Sequence, residues 1–181
     1  VEDYGRNREF LQDLLMFTSS EKDELISRDQ YVDAMPEGQS NIYYVTGESI
    51  QQAKNMPQTE QVRDKGYDIL VLTEDVDEFV MKTLAEYREK RMCNVTSDDL
   101  GLETEEEKKA AEDATAENKA LFDTMKDALD GKVKEVRVST RLKDHPVCLS
   151  ADGPLSIEME KVLSKQPGSE GVKSDKVLEL N

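Results

Sequence analysis

His145 is the only histidine in the chain, and a lone imidazole is the first group to weigh for acid–base or nucleophilic chemistry. It stands beside Pro146, where a turn is expected, and no serine or cysteine builds a triad around it. Asp and Glu together number 40, yet none pair at a spacing that singles out an acid–base couple. Cys93 and Cys148 lack metal-ligand spacing and read as buried or half-buried thiols of a reducing compartment. Gly47-Glu48-Ser49 follows an apolar run and opens a helix, so its backbone N–H groups could face an anion. One glycine is nevertheless far from a phosphate-binding loop. A different pattern suits binding rather than catalysis: Leu155, Met159, Val162 and Leu163 fall at i, i+4, i+7 and i+8, on one helical face. Such a stripe serves either as core or as an apolar contact surface.

Composition narrows the partners. The 181 residues carry a formal net charge of -16, which disfavours the phosphates of DNA or RNA and an anionic membrane surface. It suits solubility and cationic or apolar partners. Hydrophobic content is 36% and charged content 35%, a lean core under much solvated surface. No apolar run reaches the ~18 residues of a membrane span, and no signal-peptide pattern opens the chain. A cytoplasmic location is the expectation. The start at Val1-Glu2-Asp3, without methionine and just ahead of a helical pattern, reads either as a piece cut from something longer or as a processed start.

The elements that must position these residues follow from periodicity. Phe10, Leu11, Leu14, Leu15 and Phe17 predict an amphipathic helix over 7–17. Ser27 is placed to cap a helix from Arg28 to Met35 that Pro36-Glu37-Gly38 breaks. The β-branched and aromatic run Ile42 to Thr46 predicts a buried strand. A helix from about Ser49 to Met56 and another from Gln58 to Lys65 lead to a second, wholly apolar strand at 68–73. Strand, helical crossover and strand make a right-handed βαβ unit with a parallel sheet. A helix over 75–86, burying Val76, Val80 and Leu84 or their neighbours, and a third strand over 91–96 complete this part. Between Asp98 and Glu117 stand nine acidic residues against two lysines, a solvated face by composition. Thr104-Glu105-Glu106-Glu107 is a capping box. Its helix gains an apolar stripe only at Leu121, Phe122, Met125 and Leu129, before Gly131 ends it. Strands follow over 133–140 and 147–150, the second a candidate partner of the first. Pro154 then occupies an expected first helical position, with the helix running to about Lys165, a Pro167–Gly171 loop, and a last strand over 177–180.

Four segments together resemble the heat-shock protein 90 family, nearest to its bacterial form. They are Asn7-Arg8 with Leu14-Leu15-Met16-Phe17; the continuous stretch from Tyr31 through Gly38 and Ile42 to Gly47-Glu48-Ser49; Gly66-Tyr67-Asp68 through Glu78-Phe79; and Val133 through Leu142, ending near His145-Pro146. They stand in the family's order and spacing and span nearly the whole chain. The resemblance implies an α/β fragment: a βαβ parallel-sheet subdomain over 1–97, the C-terminal half of a middle domain; a connecting acidic helix over 98–131; and a truncated α+β C-terminal domain over 132–181. It places the ATP-binding domain and the arginine loop that reaches the γ-phosphate upstream, and the dimer-forming helices downstream. The fragment is then no enzyme and holds no cofactor or metal, whereas the full-length protein would be an ATPase using ATP and Mg. Four positions depart from the family pattern. Met16, Ala34 and Ser40 stand where basic residues are common, and Asp75 replaces a frequent proline.

The resemblance also implies partners and surfaces: partly folded client proteins, co-chaperones as further candidates, and a full-length homodimer. Two client-contact patches carry over. Glu78, Phe79 and Lys82 form one, with Phe79 where the bacterial form often has tryptophan; an ordinary core position accounts for Phe79 as well. Leu155, Met159, Val162 and Leu163 form the other, where methionine's pliable side chain suits varied partners. The competing reading from a different class is a small α/β enzyme or binding domain that holds a phosphorylated ligand on the loop after Thr46.

Overall fold

The computed structural model describes residues 14–97, 99–166 and 171–181. These form two compact units. One holds residues 14–56 and Val62–Val95; the other holds Pro57–Gln61 and the described residues of Thr96–Asn181.

The first unit contains β1 (Met16–Ser19), β2 (Leu25–Ser27), α1 (Arg28–Ala34), β3 (Asn41–Thr46) and α2 (Ile50–Lys54). After α3 (Glu60–Asp64) come β4 (Leu70–Leu72), α4 (Asp77–Leu84), β5 (Glu86–Tyr87) and β6 (Lys90–Asn94). The strands join in the order β2-β1-β4-β3-β6-β5. The expected parallel centre is present: β3 pairs parallel with β4, Val45 opposite Val71, and with β6, Ile42 opposite Met92. Antiparallel strands extend it on both sides, so the sheet is mixed and twice the size the sequence suggests. The core gathers Phe17, Ile26, Tyr31, Ile42, Tyr44, Leu70, Leu72, Met81 and Met92.

Local signals decide several of these elements. Ser27 caps α1 by accepting from the Gln30 N–H, and the Gln30 side chain accepts from the Ser27 N–H in return, a full capping box. Gly47 is explained by packing: a Cβ there would lie 3.0 Å from the Ala53 methyl carbon, so glycine lets β3 pass close under α2. Tyr31, a core residue of α1, donates from its hydroxyl to the Asp68 carbonyl at 2.6 Å. The Asp68 carboxylate accepts from Ser19 and Ser20 hydroxyls at 2.6 and 2.9 Å, which ties the β1–β2 turn down.

Two expectations fail in this unit. The helix predicted over 7–17 lies mostly outside the described residues, but Met16 and Phe17 belong to a strand. Along β1 exposure alternates, with Phe17 and Ser19 buried and Met16 exposed, so pairing with β4 imposes a period of two on residues whose apolar spacing fits a helix. In α4 Leu84 is buried as expected, beside Glu78 and Met81, and Val80 is half-buried; the expectation fails at Val76, which precedes the helix and is exposed.

The second unit contains a 3-10 turn (Pro57–Thr59), α5 (Glu105–Glu117), α6 (Lys119–Ala128), β7 (Glu135–Val138), β8 (Val147–Asp152), α7 (Ile157–Ser164) and β9 (Asp175–Leu180). The Thr104 capping box forms as expected: its hydroxyl accepts from the Glu107 N–H, and Glu107 accepts from the Thr104 N–H. No residue of α5 is buried, in keeping with a solvated acidic face. The expected single helix divides at Asn118, whose backbone leaves helical geometry. Phe122 on α6 then packs with Val133 and Val136. β7 and β8 are not partners, because β9 lies between them, parallel to β7 and antiparallel to β8. The helix after Pro154 begins three residues later than a proline at the first position implies. Ser156 is its cap, accepting from the Met159 N–H at 3.0 Å, and Ser164 is its last residue. Most of the 167–171 loop lies outside the described residues.

Candidate functional site

α4 carries the first predicted patch and divides it. Glu78 is buried, at 2% exposure, and its carboxylate accepts from the Asn94 side-chain amide of β6 at 3.1 Å. The Lys82 ammonium lies 3.6 Å from the same carboxylate, one helical turn on, with its side chain a third exposed. Glu78 therefore anchors the helix on the sheet, Phe79 is half-buried, and Lys82 reaches solvent. Burying a carboxylate is costly unless it is hydrogen-bonded and paired, and Asn94 and Lys82 meet both needs.

α7 carries the second patch and is fixed by polar contacts at its margins. Glu160 accepts from the Ser174 N–H at 3.1 Å, the Ser174 hydroxyl at 2.5 Å and the Lys176 ammonium at 2.9 Å. Burial alone would raise this carboxyl, but the three donors outweigh it and bring the pKa down to about 2. Met159 is buried at 8% exposure, while Leu155, Val162 and Leu163 are half-buried. One side of the helix thus packs down through Met159, and the rest of the stripe keeps solvent contact. The two patches belong to different units, Glu78, Phe79 and Lys82 in the first and Leu155, Met159, Val162 and Leu163 in the second.

Polar chemistry in the second unit centres on residues whose spacing in the sequence drew no attention. Glu179, in the middle strand β9, is 1% exposed. Its carboxylate accepts from Arg137 at 2.8 Å and from the hydroxyls of Ser139 and Ser150, each at 2.8 Å, with the Arg141 guanidinium 3.9 Å away. Burial opposes ionisation here, yet Arg141, Arg137 and Ser139 hold the carboxyl below its usual range. Cys148 lies against this carboxylate, and burial followed by the Glu179 charge pushes its thiol up to about 12, so it stays protonated and unreactive. Both cysteines are free and buried. The only sequence hint of this cluster is the alternation along β9, which puts Glu179 on the same face as Val177.

His145 is paired as well. Its Nδ1 meets the Glu60 carboxylate, which also accepts from the backbone N–H groups of Lys143, Asp144 and His145 at 2.6, 3.1 and 3.2 Å. Burial raises the Glu60 carboxyl, and this ring of donors lowers it further than burial raises it. The geometry makes the pair a clasp for the 143–145 loop. Among the described residues no group of three or more His, Cys, Asp or Glu side chains could hold a metal ion, and no helix is long and apolar enough to cross a membrane.

Comparison with known proteins covers the whole chain. The family model described as Hsp90 protein matches residues 1–181. The chain is 56% identical over 179 residues to the "Chaperone protein HtpG" of Clostridium acetobutylicum, covering 99% of this chain and 28% of that relative. Against the protein of the same description from Bacillus subtilis it is 53% identical, covering 99% of this chain and 29% of the relative. Against that from Halalkalibacterium halodurans it is 56% identical, with shares of 99% and 28%. The chain therefore spans a little over a quarter of the length of the curated relatives it matches. With its entire length inside the family match, this chain belongs to the Hsp90 family.

Proposed function

We propose that this chain is the client-contacting and force-transmitting part of a bacterial HtpG-type chaperone. Residues 1–97 act as the C-terminal half of the middle domain, 98–131 as the connecting acidic helix, and 132–181 as the first part of the C-terminal domain. ATP and Mg bind elsewhere in the full-length, homodimeric, cytoplasmic protein, and this part contains no catalytic residue. The observation that carries the reading is the family match across residues 1–181, joined by a chain that is only a little over a quarter of its relatives' length. Partly folded clients expose apolar area, and modest half-buried apolar side chains such as Phe79, Leu155, Val162 and Leu163 suit weak, releasable contact. Glu78 and Met159 sit beneath those contacts and set their geometry. The phosphorylated-ligand alternative rests on Gly47, and close packing on Ala53 accounts for that glycine.

Suppression of the aggregation of a thermally unfolded client tests this. Phe79→Asp and Val162→Asp should each reduce saturable suppression severalfold while the protein's own melting temperature falls by no more than about 4 °C, the effect of roughly 1 kcal/mol. Suppression unchanged in both variants would remove the client-contact role from these helices.

A further inference from the structure

The chain holds two Asp-Gly pairs, Asp130-Gly131 and Asp152-Gly153, both in the second unit. Such a pair has a chemistry of its own. The aspartyl side-chain carboxyl can reach the next backbone nitrogen, and glycine, with no Cβ, leaves that nitrogen uncrowded. The two pairs share this sequence and differ in their surroundings. Asp152 is the last residue of β8, in register with Asp175 of β9. Its carboxylate accepts from the Lys134 ammonium at 2.8 Å, and that contact holds the carboxyl below its usual range. It is therefore ionised and tied, and a tied carboxylate is a poor target for a nitrogen nucleophile. Asp130 has no such restraint. It follows α6 in a turn where it and Gly131 are exposed, with positive φ of 51° and 73°. The Asp130 N–H donates to the Asp127 carbonyl at 3.1 Å, and the Lys132 N–H to the Leu129 carbonyl at 3.0 Å. Between them, among the described residues, the Gly131 N–H has no acceptor and the Asp130 carboxylate has neither a donor nor a cation.

We propose that Asp130-Gly131 is a modification site, where the chain isomerises to isoaspartate and so loosens the joint between α6 and β7. This chemistry is independent of the chaperone reading. The Gly131 nitrogen bonds to Cγ of the protonated Asp130 carboxyl. The nitrogen's proton and the carboxyl's hydroxyl leave together as one water, and a succinimide ring closes. Water then adds to one of the two ring carbonyls. Addition at Cγ breaks the new C–N bond and restores aspartate. Addition at the Asp130 backbone carbonyl breaks the original peptide bond to Gly131 and leaves the chain running through Cγ. One water leaves and one returns, so the composition is unchanged and no oxidant or reductant takes part. The product has one more carbon in its backbone and a free carboxylate at the former carbonyl. Just downstream, Val133 packs with Phe122 of α6 and with Val136 of β7. A longer link displaces Val133 from that cluster, and a core side chain that loses its contacts costs stability.

Peptide mapping by mass spectrometry of the 181-residue chain, held in warm, mildly acidic buffer, tests this. The succinimide appears as a peptide lighter by one water, and isoaspartate as an isomer that a protein isoaspartyl methyltransferase labels. Rates are taken relative to those of the urea-unfolded chain, which removes the effect of flanking residues. In the folded chain the relative rate at 130–131 should exceed that at 152–153 by at least about tenfold. Asp130→Glu, which would need a larger ring, should abolish conversion there. The melting temperature of the parent chain should fall as conversion proceeds, while the Asp130→Glu chain treated alongside keeps its own. Equal relative rates at the two pairs would overturn the proposal, as would an equal fall in melting temperature in the parent and Asp130→Glu chains.

Discussion

Glu179 shows how much a single buried carboxylate can organise. It sits in the middle strand of a three-stranded sheet, where an apolar residue would be the ordinary choice, and gathers Arg137, Ser139 and Ser150 from β8 and from β7 and its continuation. Ionised and fully partnered, it costs little; its removal takes an acceptor from Arg137 and from two hydroxyls, and takes the countercharge 3.9 Å away from the buried Arg141 guanidinium. Glu179→Ala should therefore destabilise the second unit by about 3–5 kcal/mol, the usual consequence of deleting one partner of a buried ion pair. Urea unfolding followed by circular dichroism would read this directly. A loss under about 1 kcal/mol would mean that water replaces the carboxylate, a cost more typical of an exposed pair.

At the scale of elements, α7 depends on the tie between Glu160 and the start of β9. The folded carboxyl titrates at about 2, below its ordinary 4.5, so the ionised form is the one that folding favours. Its stabilisation is complete above pH about 4.5 and disappears as pH falls through about 2. Glu160→Gln should lower the melting temperature at pH 7 and flatten its decline between pH 5 and 2; an unchanged acid limb would refute the tie. Such links explain what could be read from the chain in advance. Ser27 and Thr104 announce their helices because a cap is a signal held within four residues. The parallel pair β3 and β4 is legible because both are continuous apolar runs. β1 and β2 are not, since Met16 to Ser19 becomes a strand through pairing with the three-residue β2 and, at Thr18 and Ser19, with β4 some fifty residues away. The order β7-β9-β8 is hidden for the same reason: the strand that separates the first two is the last to be made. Of the candidate contact helices the sequence shows the apolar stripe, but not that Met159 and Glu78 turn inward while Phe79 and Val162 stay partly open.

For the molecule as a whole, charge outweighs every other influence on encounter. With 40 acidic against 24 basic residues, the field around the chain repels acidic polypeptides and draws basic ones before any contact forms. Such steering acts on the encounter and leaves the apolar contacts, once made, largely indifferent to salt. Association of a basic non-native polypeptide should therefore slow about tenfold between ~10 mM and ~150 mM salt, as the Debye length shrinks from about 30 Å to about 8 Å. Its dissociation rate should change far less if the proposed contacts at Phe79, Leu155 and Val162 hold it, because burial of apolar side chains is not screened. An acidic polypeptide of matched hydrophobicity should show the opposite slope, associating faster as salt rises. Stopped-flow measurement of both across that range separates the two contributions. Equal salt dependence for the two polypeptides would mean that local apolar contact alone governs capture, and that the acidic surface serves solubility.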